Sequence, residues 1–265
     1  MMGPASRWED LFPRLASGTL LLLIGLGAVA IGQDVFHGFI AVICGIMIWE
    51  LVGLLQPNEK SLALGIGSLV AAVSMIAIYL PMPLGPLLLF IPPILGLLWM
   101  HQNRWVFLGF VLAVLYAGFG MMSIRDDLGF IWMLWLVLIV VVTDIAGYFV
   151  GRLVGGPKLW PKISPKKTWS GTIAGWIAAS VVGLLFAITA KVSLTTLIIL
   201  SAVLSIASQL TDIAESAIKR QQGAKDSSDL IPGHGGLLDR FDSMLGASVA
   251  FLLSGKLINL PMGFH

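Results

Sequence analysis

Long apolar runs alternate with short polar segments along the whole chain. About nine runs are long enough to form membrane-crossing helices, near residues 15–32, 35–55, 62–80, 84–100, 105–122, 130–150, 171–190, 194–215 and 242–258. A helix needs about 20 apolar residues to cross the hydrocarbon core of a bilayer. The pattern therefore predicts an all-α polytopic integral membrane protein with about nine transmembrane helices.

Composition supports a single membrane domain over residues 1–265. The chain is 57% hydrophobic and 11% charged, with a mean hydropathy of +0.94. Its longest polar loops hold about 20 residues, whereas soluble domains have at least about 50. The polar residues crowd into the second half. We therefore expect residues 1–125 to form scaffold helices, and residues 126–265 to form the catalytic helices and cytoplasmic loops.

The basic residues divide unequally between the two ends of the predicted helices. Only Arg125, Lys191 and Lys256 lie on the side opposite the amino terminus, and the other 13 of the 16 Lys and Arg residues lie on its side. Loops rich in Lys and Arg stay in the cytoplasm. This distribution predicts that the amino terminus and the basic loops are cytoplasmic.

The predicted helix at 194–215 carries a polar stripe on one face. Its members are Ser205, Ser208, Gln209, Asp212, Ser216 and Lys219. A carboxylate inside a membrane helix costs about 3 kcal/mol on insertion scales, so it usually faces a cavity or a partner. Asp212 could instead hydrogen-bond to a neighbouring helix or pair with a nearby Arg. However, the stripe leads into Lys219, Arg220 and a Gly-His-Gly-Gly loop. That continuity favours a functional site.

Asp239 and Asp242 lie three residues apart at the start of the last predicted helix, so they share one face. Capping of the positively polarised helix start would explain one Asp. It would not explain a second Asp on the same face or the additional presence of Asp212. Magnesium takes one or two carboxylates and completes its shell with water and phosphate. We therefore predict that Asp212, Asp239 and Asp242 form a magnesium site. The alternative is structural ion pairing with nearby cations, namely Lys219, Lys225 and Arg240.

Two segments upstream carry further candidates for anion binding. Asp144, Gly147, Tyr148 and Gly151 fall on one face of the helix that ends near residue 152. The loop at 155–171 contains four lysines and the sequence Ser-Pro-Lys-Lys-Thr, which suits a phosphate-binding turn before a helix. Its lysines could instead only fix topology and contact anionic lipid. The loop lacks the glycine spacing of a Walker A motif.

His234 lies between glycines and could be a metal ligand, a general base or a phosphate donor. A zinc site is disfavoured because no second His or Cys lies at ligand spacing. Gly233, Gly235 and Gly236 allow backbone amides to point into an anion-binding nest. Glycine turns also occur as simple connectors, so this signal is weak alone.

Together these segments closely resemble the phosphatidate cytidylyltransferases, also called CDP-diacylglycerol synthases. The residues that match the family signature are Ser216, Ile218, Lys219, Arg220, Lys225, Asp226, Ser228, Pro232, His234, Gly235, Gly236, Asp239, Arg240 and Asp242. The resemblance extends upstream to Asp144, Tyr148, Gly151, Arg152 and residues 164–168. Ser170 departs from the pattern, because family members often carry Glu or Gln there. This departure questions any nucleotide contact at that position.

The resemblance implies conversion of CTP and phosphatidic acid to CDP-diacylglycerol and pyrophosphate. It implies CTP binding by Asp144, Ser164, Lys166 and Lys167, and magnesium at the three Asp residues, with room for a second cation. The expected catalytic residues are Lys219, Arg220, Lys225, His234 and Arg240. The four cations would clamp phosphates, and His234 would orient phosphate, because a phosphate monoester with a second pKa near 6 is already mostly dianionic at pH 7.

The same resemblance implies partners and a location. We expect a bilayer-embedded protein, in a bacterial inner membrane with a cytoplasmic active site, with no nucleic-acid partner and with a homodimer as the family-level assembly. An ion-coupled transporter using Asp144 and Asp212 is the alternative from another class. An enzyme acting on a different lipid phosphate, such as an isoprenoid phosphate, is the nearer alternative. A CDP-alcohol phosphotransferase is disfavoured because its motif is missing.

Overall fold

The computed structural model describes residues 11–231, 233 and 235–254, and their side chains from Ser17 onward. The described chain forms ten α-helices and one short hairpin. In chain order they are α1 (Leu11–Ile31), α2 (Gln33–Leu55), α3 (Lys60–Ala77), α4 (Leu84–Leu88), α5 (Ile91–Trp99), α6 (Arg104–Ser123), α7 (Phe130–Leu153), β1 (Lys158–Trp160), β2 (Ser164–Thr168), α8 (Trp169–Ala190), α9 (Leu194–Gln221) and α10 (Leu238–Ser254). A π-helical turn, Ile124–Leu128, follows α6.

Each of the nine predicted apolar runs falls on helical chain, and six helices are long and apolar enough to cross a membrane. These are Gln33–Leu55, Lys60–Ala77, Arg104–Leu128, Phe130–Leu153, Trp169–Ala190 and Leu194–Gln221. Helices α1 and α10 and the pair α4–α5 are the shorter or less apolar remainder. The structure thus supports an all-α membrane protein, while the count of nine spans stays a prediction.

Two helix boundaries differ from the sequence expectation. The run at 84–100 is divided into α4 and α5, because Pro92 and Pro93 lie at the beginning of α5. Proline is well tolerated in the first turn, where the missing N–H group would have no intrahelical partner. The last helix begins at Leu238, before the expected residue 242. Residues 255–258 of that predicted run lie outside the described residues.

The helices pack in two groups that α10 joins. Helices α2, α3 and α6 contact one another in the first group, and α7, α8 and α9 pack in sequence in the second. Helix α10 lies against α9 and α6 and also touches α2. Close approach of α9 and α10 depends on Gly246, where an added Cβ would lie 2.1 Å from the carbonyl oxygen of Ala207. The first half of the chain is therefore in direct contact with the helix that carries Asp239 and Asp242.

A network of hydrogen-bonded polar side chains lies at one end of the first group of helices. His37 hydrogen-bonds with the Tyr79 hydroxyl at 3.1 Å and with the Asp126 carboxylate at 2.8 Å. Tyr79 donates to Asp34, and this hydrogen bond is the main reason that the pKa of Tyr79 rises to about 12. Arg125 donates to backbone carbonyls at the end of α1. These contacts lie at the start of α2, whereas Glu50 lies near its other end.

Candidate functional site

A cavity of about 690 Å³ opens between α7, the β-hairpin and the start of α8. Its lining includes Asp144, Lys166 and Lys167, three of the four residues predicted to bind CTP. Ser164, the fourth, begins β2 beside the lining residue Pro165. The remaining lining residues are Gly147, Tyr148, Gly151, Arg152, Gly155, Lys158, Thr168, Gly171, Thr172 and Gln209. The cavity therefore joins one carboxylate to several cations.

Close contact between α7 and α8 shapes one wall of this cavity. An added Cβ on Gly171 would lie 2.4 Å from the carbonyl oxygen of Gly147 and 3.2 Å from the Cα of Gly151. Because no side chain separates them, the two backbones touch at the predicted glycine face of α7. The Asp144 and Tyr148 side chains belong to the same face and line the cavity beside this contact.

The basic loop predicted before α8 is an antiparallel β-hairpin. Lys158 pairs with Thr168, and Trp160 pairs with Ser164. Thr168 then caps α8, since its hydroxyl accepts a hydrogen bond from the Gly171 N–H at 3.2 Å. The hairpin turns Lys166 and Lys167 towards the cavity, which gives a local reason for the Lys-Lys-Thr sequence.

Ser170 has a structural contact in place of the longer side chain common in the resembling family. Its hydroxyl donates to the Gly155 carbonyl at 2.5 Å and lies 3.0 Å from the Thr168 hydroxyl. Ser170 is not among the residues that line the cavity. This side chain therefore fastens the loop before the hairpin to the start of α8.

Three carboxylates from different helices form an acidic cluster, defined here as Asp144 on α7, Asp212 on α9 and Asp242 on α10. They are close enough to repel one another electrostatically. Lys167 forms an ion pair with Asp212, and Arg240 attracts Asp144 over a longer distance. The cluster therefore lies beside the cavity and has more negative charge than its neighbouring cations contact directly.

Asp239 has different neighbours from those expected of a metal ligand. One of its oxygens accepts hydrogen bonds from the Ser227 N–H at 2.8 Å, the Ser227 hydroxyl at 2.9 Å and the Gly236 N–H at 2.8 Å. Its other oxygen accepts from the Lys219 ammonium group. Both oxygens are occupied by donors from the protein, because a buried carboxylate needs such partners to offset its desolvation.

Lys219 is likewise placed as a buried bridge between two carboxylates. Its ammonium group pairs with Asp239 and, at 2.5 Å, with Glu215 one turn earlier on α9. The Lys219 residue is only 9% exposed. The sequence grouped it with the phosphate clamps, but its charge is already shared by these two partners.

The other predicted cations remain open to solvent. Arg220, Lys225 and Arg240 are exposed, and Arg220 also donates to the Ala224 carbonyl at 3.1 Å. Lys225 lies in the loop between α9 and α10, and Arg220 and Arg240 lie on the two helices beside it. His234 lies in the same loop but outside the described residues, so its predicted role stays a prediction.

Glu50 is a site residue that the sequence did not identify. Glu50 ends the second apolar run, where a carboxylate would ordinarily reach the membrane interface, but the structure buries it inside the protein. Glu50 is 2% exposed. Its carboxylate accepts from the Ser228 hydroxyl at 2.6 Å, from Leu237 N–H at 3.0 Å and from Leu238 N–H at 2.7 Å. The only available signal was general: a carboxylate deep in an apolar helix must find donors.

The chain matches a protein-family model over most of its length. Residues 12–257 match the cytidylyltransferase family. The chain belongs to the cytidylyltransferase family.

Curated relatives of this cytidylyltransferase-family chain carry one name. A Brucella suis protein named phosphatidate cytidylyltransferase is 40% identical over 169 residues, which cover 62% of this chain and 61% of the relative. A Staphylococcus haemolyticus protein of that name is 37% identical over 55% of this chain and 59% of the relative. The chain thus matches about three fifths of these relatives' length. A Staphylococcus aureus protein of that name is 32% identical over 88% of this chain and 94% of the relative.

The cytidylyltransferase-family site contains no preformed metal cage within residues 11–231, 233 and 235–254. In that part of the chain, no three His, Cys, Asp or Glu side chains come together in an arrangement that could hold a metal ion. Magnesium usually takes only one or two carboxylates and relies on water and substrate phosphates for its other ligands. The acidic cluster is compatible with that looser mode of binding.

Proposed function

We propose that this chain is a phosphatidate cytidylyltransferase. A phosphate oxygen of phosphatidic acid attacks the α-phosphorus of CTP, and the bond from that phosphorus to the β-phosphate bridging oxygen breaks. The products are CDP-diacylglycerol and pyrophosphate. The observation that carries this proposal is the cavity that joins Asp144, Lys166 and Lys167 beside the acidic cluster, in a chain of the cytidylyltransferase family.

The cavity suits a nucleoside triphosphate in size and charge. Its volume of about 690 Å³ lies within the range of about 300–1,000 Å³ typical of small-molecule sites. Lys158, Lys166, Lys167 and Arg152 provide four cations along its wall. Cations at fixed positions stabilise the charge that develops during phosphoryl and nucleotidyl transfer. We assign the triphosphate of CTP to this wall.

The acidic cluster fits a magnesium ion by the chemistry of its donors. Asp212 and Asp242 are oxygen ligands from two helices, and their mutual repulsion with Asp144 would be relieved by a cation. Bound there, magnesium would neutralise phosphate charge, and a second cation would add to that effect. We assign first contact to Asp212 and Asp242. Asp239, whose oxygens already accept four protein donors, holds the adjoining loop instead.

We assign the remaining predicted residues to binding of the lipid phosphate. Arg220, Lys225 and Arg240 are exposed cations around the α9–α10 loop, and we propose that they attract the phosphate of phosphatidic acid. His234 would orient that phosphate. A general base is not needed, because a phosphate monoester with a second pKa near 6 is mostly dianionic at pH 7.

We also propose nine membrane spans with the amino terminus in the cytoplasm. The end of the bundle that carries the cavity also carries most of the basic loops, and the positive-inside rule places such loops in the cytoplasm. CTP would then enter from the cytosol while the lipid chains stay in the bilayer. A bacterial inner membrane and a homodimer complete the proposal.

Product formation by purified protein tests this function. The assay supplies phosphatidic acid, labelled CTP and magnesium to the wild type, to Asp212→Asn and to the control Asp127→Asn, an exposed carboxylate in the turn after α6. We expect CDP-diacylglycerol from the wild type and the control, and a loss of about 100- to 1,000-fold in Asp212→Asn. CTP binding without product would redirect the search to another lipid phosphate. No CTP binding would overturn the enzyme proposal in favour of a transporter.

A further inference from the structure

Glu50 caps α10, a helix that begins 188 residues further along the chain. The Leu237 and Leu238 N–H groups donate to its two oxygens at 3.0 and 2.7 Å, across sequence separations of 187 and 188 residues. Leu238 is the first residue of α10 and Leu237 immediately precedes it, at a helix end where N–H groups have no intrahelical acceptor. A carboxylate at this positive helix end is also favoured by the helix dipole.

The same carboxylate holds the loop that precedes α10. The Ser228 hydroxyl donates to one Glu50 oxygen at 2.6 Å, and the Ser227 hydroxyl lies 3.3 Å from the other. Among the described residues, no Lys, Arg or His forms an ion pair with Glu50. Within that part of the chain, amide and hydroxyl donors balance the charge of Glu50, and Glu50 holds each of those donors in position.

Ser227 connects Glu50 to the buried ion pair of the site. Its hydroxyl lies 2.9 Å from Asp239 as well as 3.3 Å from Glu50, and its N–H also donates to Asp239. Asp239 in turn holds Lys219. Asp242 follows one turn later on α10, so the position of this helix start also decides how Asp242 faces the acidic cluster.

We propose that Glu50 is a positioning residue for the transfer reaction, because from a helix of the first half it holds Ser227, Ser228 and the start of α10. The inference rests on the proposed function for its kinetic consequence, although the contacts themselves do not. Without Glu50, two amides of the helix start and one serine hydroxyl lose their buried acceptor, and Asp242 loses its fixed position.

Glu50→Gln tests this role with almost no change in side-chain size. The single amide oxygen of Gln cannot accept all the hydrogen bonds that the two carboxylate oxygens of Glu50 accept. The new NH₂ group also points at N–H or O–H groups, which are themselves donors. We expect kcat to fall about 10- to 100-fold, since a displacement of about 1 Å can cost about 100-fold, with KM for CTP within threefold of the wild type. Amide hydrogen exchange at residues 227 and 236–238 should become at least tenfold faster.

Glu59→Gln is the matched control, because Glu59 is an exposed carboxylate nine positions further along the chain. Ser228→Ala provides a milder second variant if Glu50→Gln does not fold. It removes one donor to Glu50, and its effect on kcat should largely disappear when it is combined with Glu50→Gln. Full additivity of the two changes would count against the shared network.

The outcomes separate this inference from the proposed function. Wild-type kcat and unchanged exchange in folded Glu50→Gln would overturn the inference while the function stands. A lower melting temperature with wild-type kcat would also overturn it, because Glu50 would then be structural only. If the wild type makes no product, the proposed function fails, and hydrogen exchange still decides whether Glu50 fixes the loop.

Discussion

Two sets of carboxylates lie at the same end of the molecule and have opposite surroundings. The anchor pair, Glu50 and Asp239, is surrounded by donors from the protein. The acidic cluster, Asp144, Asp212 and Asp242, has fewer protein donors: Lys167 pairs with Asp212, while the three carboxylates also repel one another. The protein itself supplies the donors that balance the anchor pair, whereas under the proposed function a bound cation would balance the acidic cluster.

The comparison also separates stability from function. Removing one partner of a buried, hydrogen-bonded ion pair leaves the other uncompensated and costs about 3–5 kcal/mol. Removing one of several carboxylates that repel one another costs little or stabilises the fold, as is common at functional sites. The anchor pair should therefore matter first for folding, and the acidic cluster first for activity.

The largest effect on stability should come from Asp239→Asn. The change removes one of the two carboxylate charges that Lys219 pairs with, leaving Glu215, and it replaces one acceptor with a donor facing two backbone N–H groups. We expect a loss of about 3–5 kcal/mol, measured as a lower midpoint of thermal unfolding in detergent. Asp242→Asn is the matched comparison, and its midpoint should equal or exceed that of the wild type. Equal destabilisation of both variants would remove the distinction between the two sets.

A smaller effect, confined to nucleotide binding, is expected for Lys167→Ala. This side chain lines the cavity and pairs with Asp212, so its loss removes a phosphate contact and leaves the acidic cluster more negative. We expect CTP affinity to fall about 10- to 100-fold, the equivalent of one charged hydrogen bond. Equilibrium binding of labelled CTP measures this change. Lys162→Ala, at an exposed position in the hairpin turn, should bind CTP like the wild type. Similar losses in both would indicate only a general electrostatic effect.

The helices of this fold could be predicted because membrane helices are encoded locally. Over its described residues, every predicted apolar run lies mainly on helix, since about 20 apolar residues satisfy their own backbone only as a helix in lipid. The exceptions are boundaries. The break before α5 depends on Pro92 and Pro93, and the start of α10 depends on amides capped by Glu50.

The sequence could predict which residues belong to the site, but it could not predict which side chains contact one another there. Asp144, Lys166 and Lys167 were expected to act together, and the structure brings them to one cavity. The division of the other carboxylates follows from packing. Asp239 and Asp242 share a face of α10, yet only Asp239 meets the Ser227 and Gly236 amides. The Glu50 contacts span 187 residues, and no local pattern encodes a contact of that separation.

A steric effect on stability is expected at Gly236, which lies against Glu50 and the Ser227 hydroxyl. An added Cβ on Gly236 would lie 2.0 Å from the Ser227 hydroxyl oxygen and 2.5 Å from a Glu50 oxygen. Gly236→Ala must therefore push both away, which we expect to cost about 1–3 kcal/mol. Thermal unfolding in detergent measures the loss. The control is Gly109→Ala on α6, where an added Cβ meets nothing within 4 Å.

An unchanged midpoint in Gly236→Ala would mean that the loop moves easily, and the anchor pair would then not be rigid enough to fix α10. A loss in Gly236→Ala alone, without a change in CTP affinity, would place the rigid part of the site at Glu50 and Asp239 and leave the nucleotide cavity independent of it.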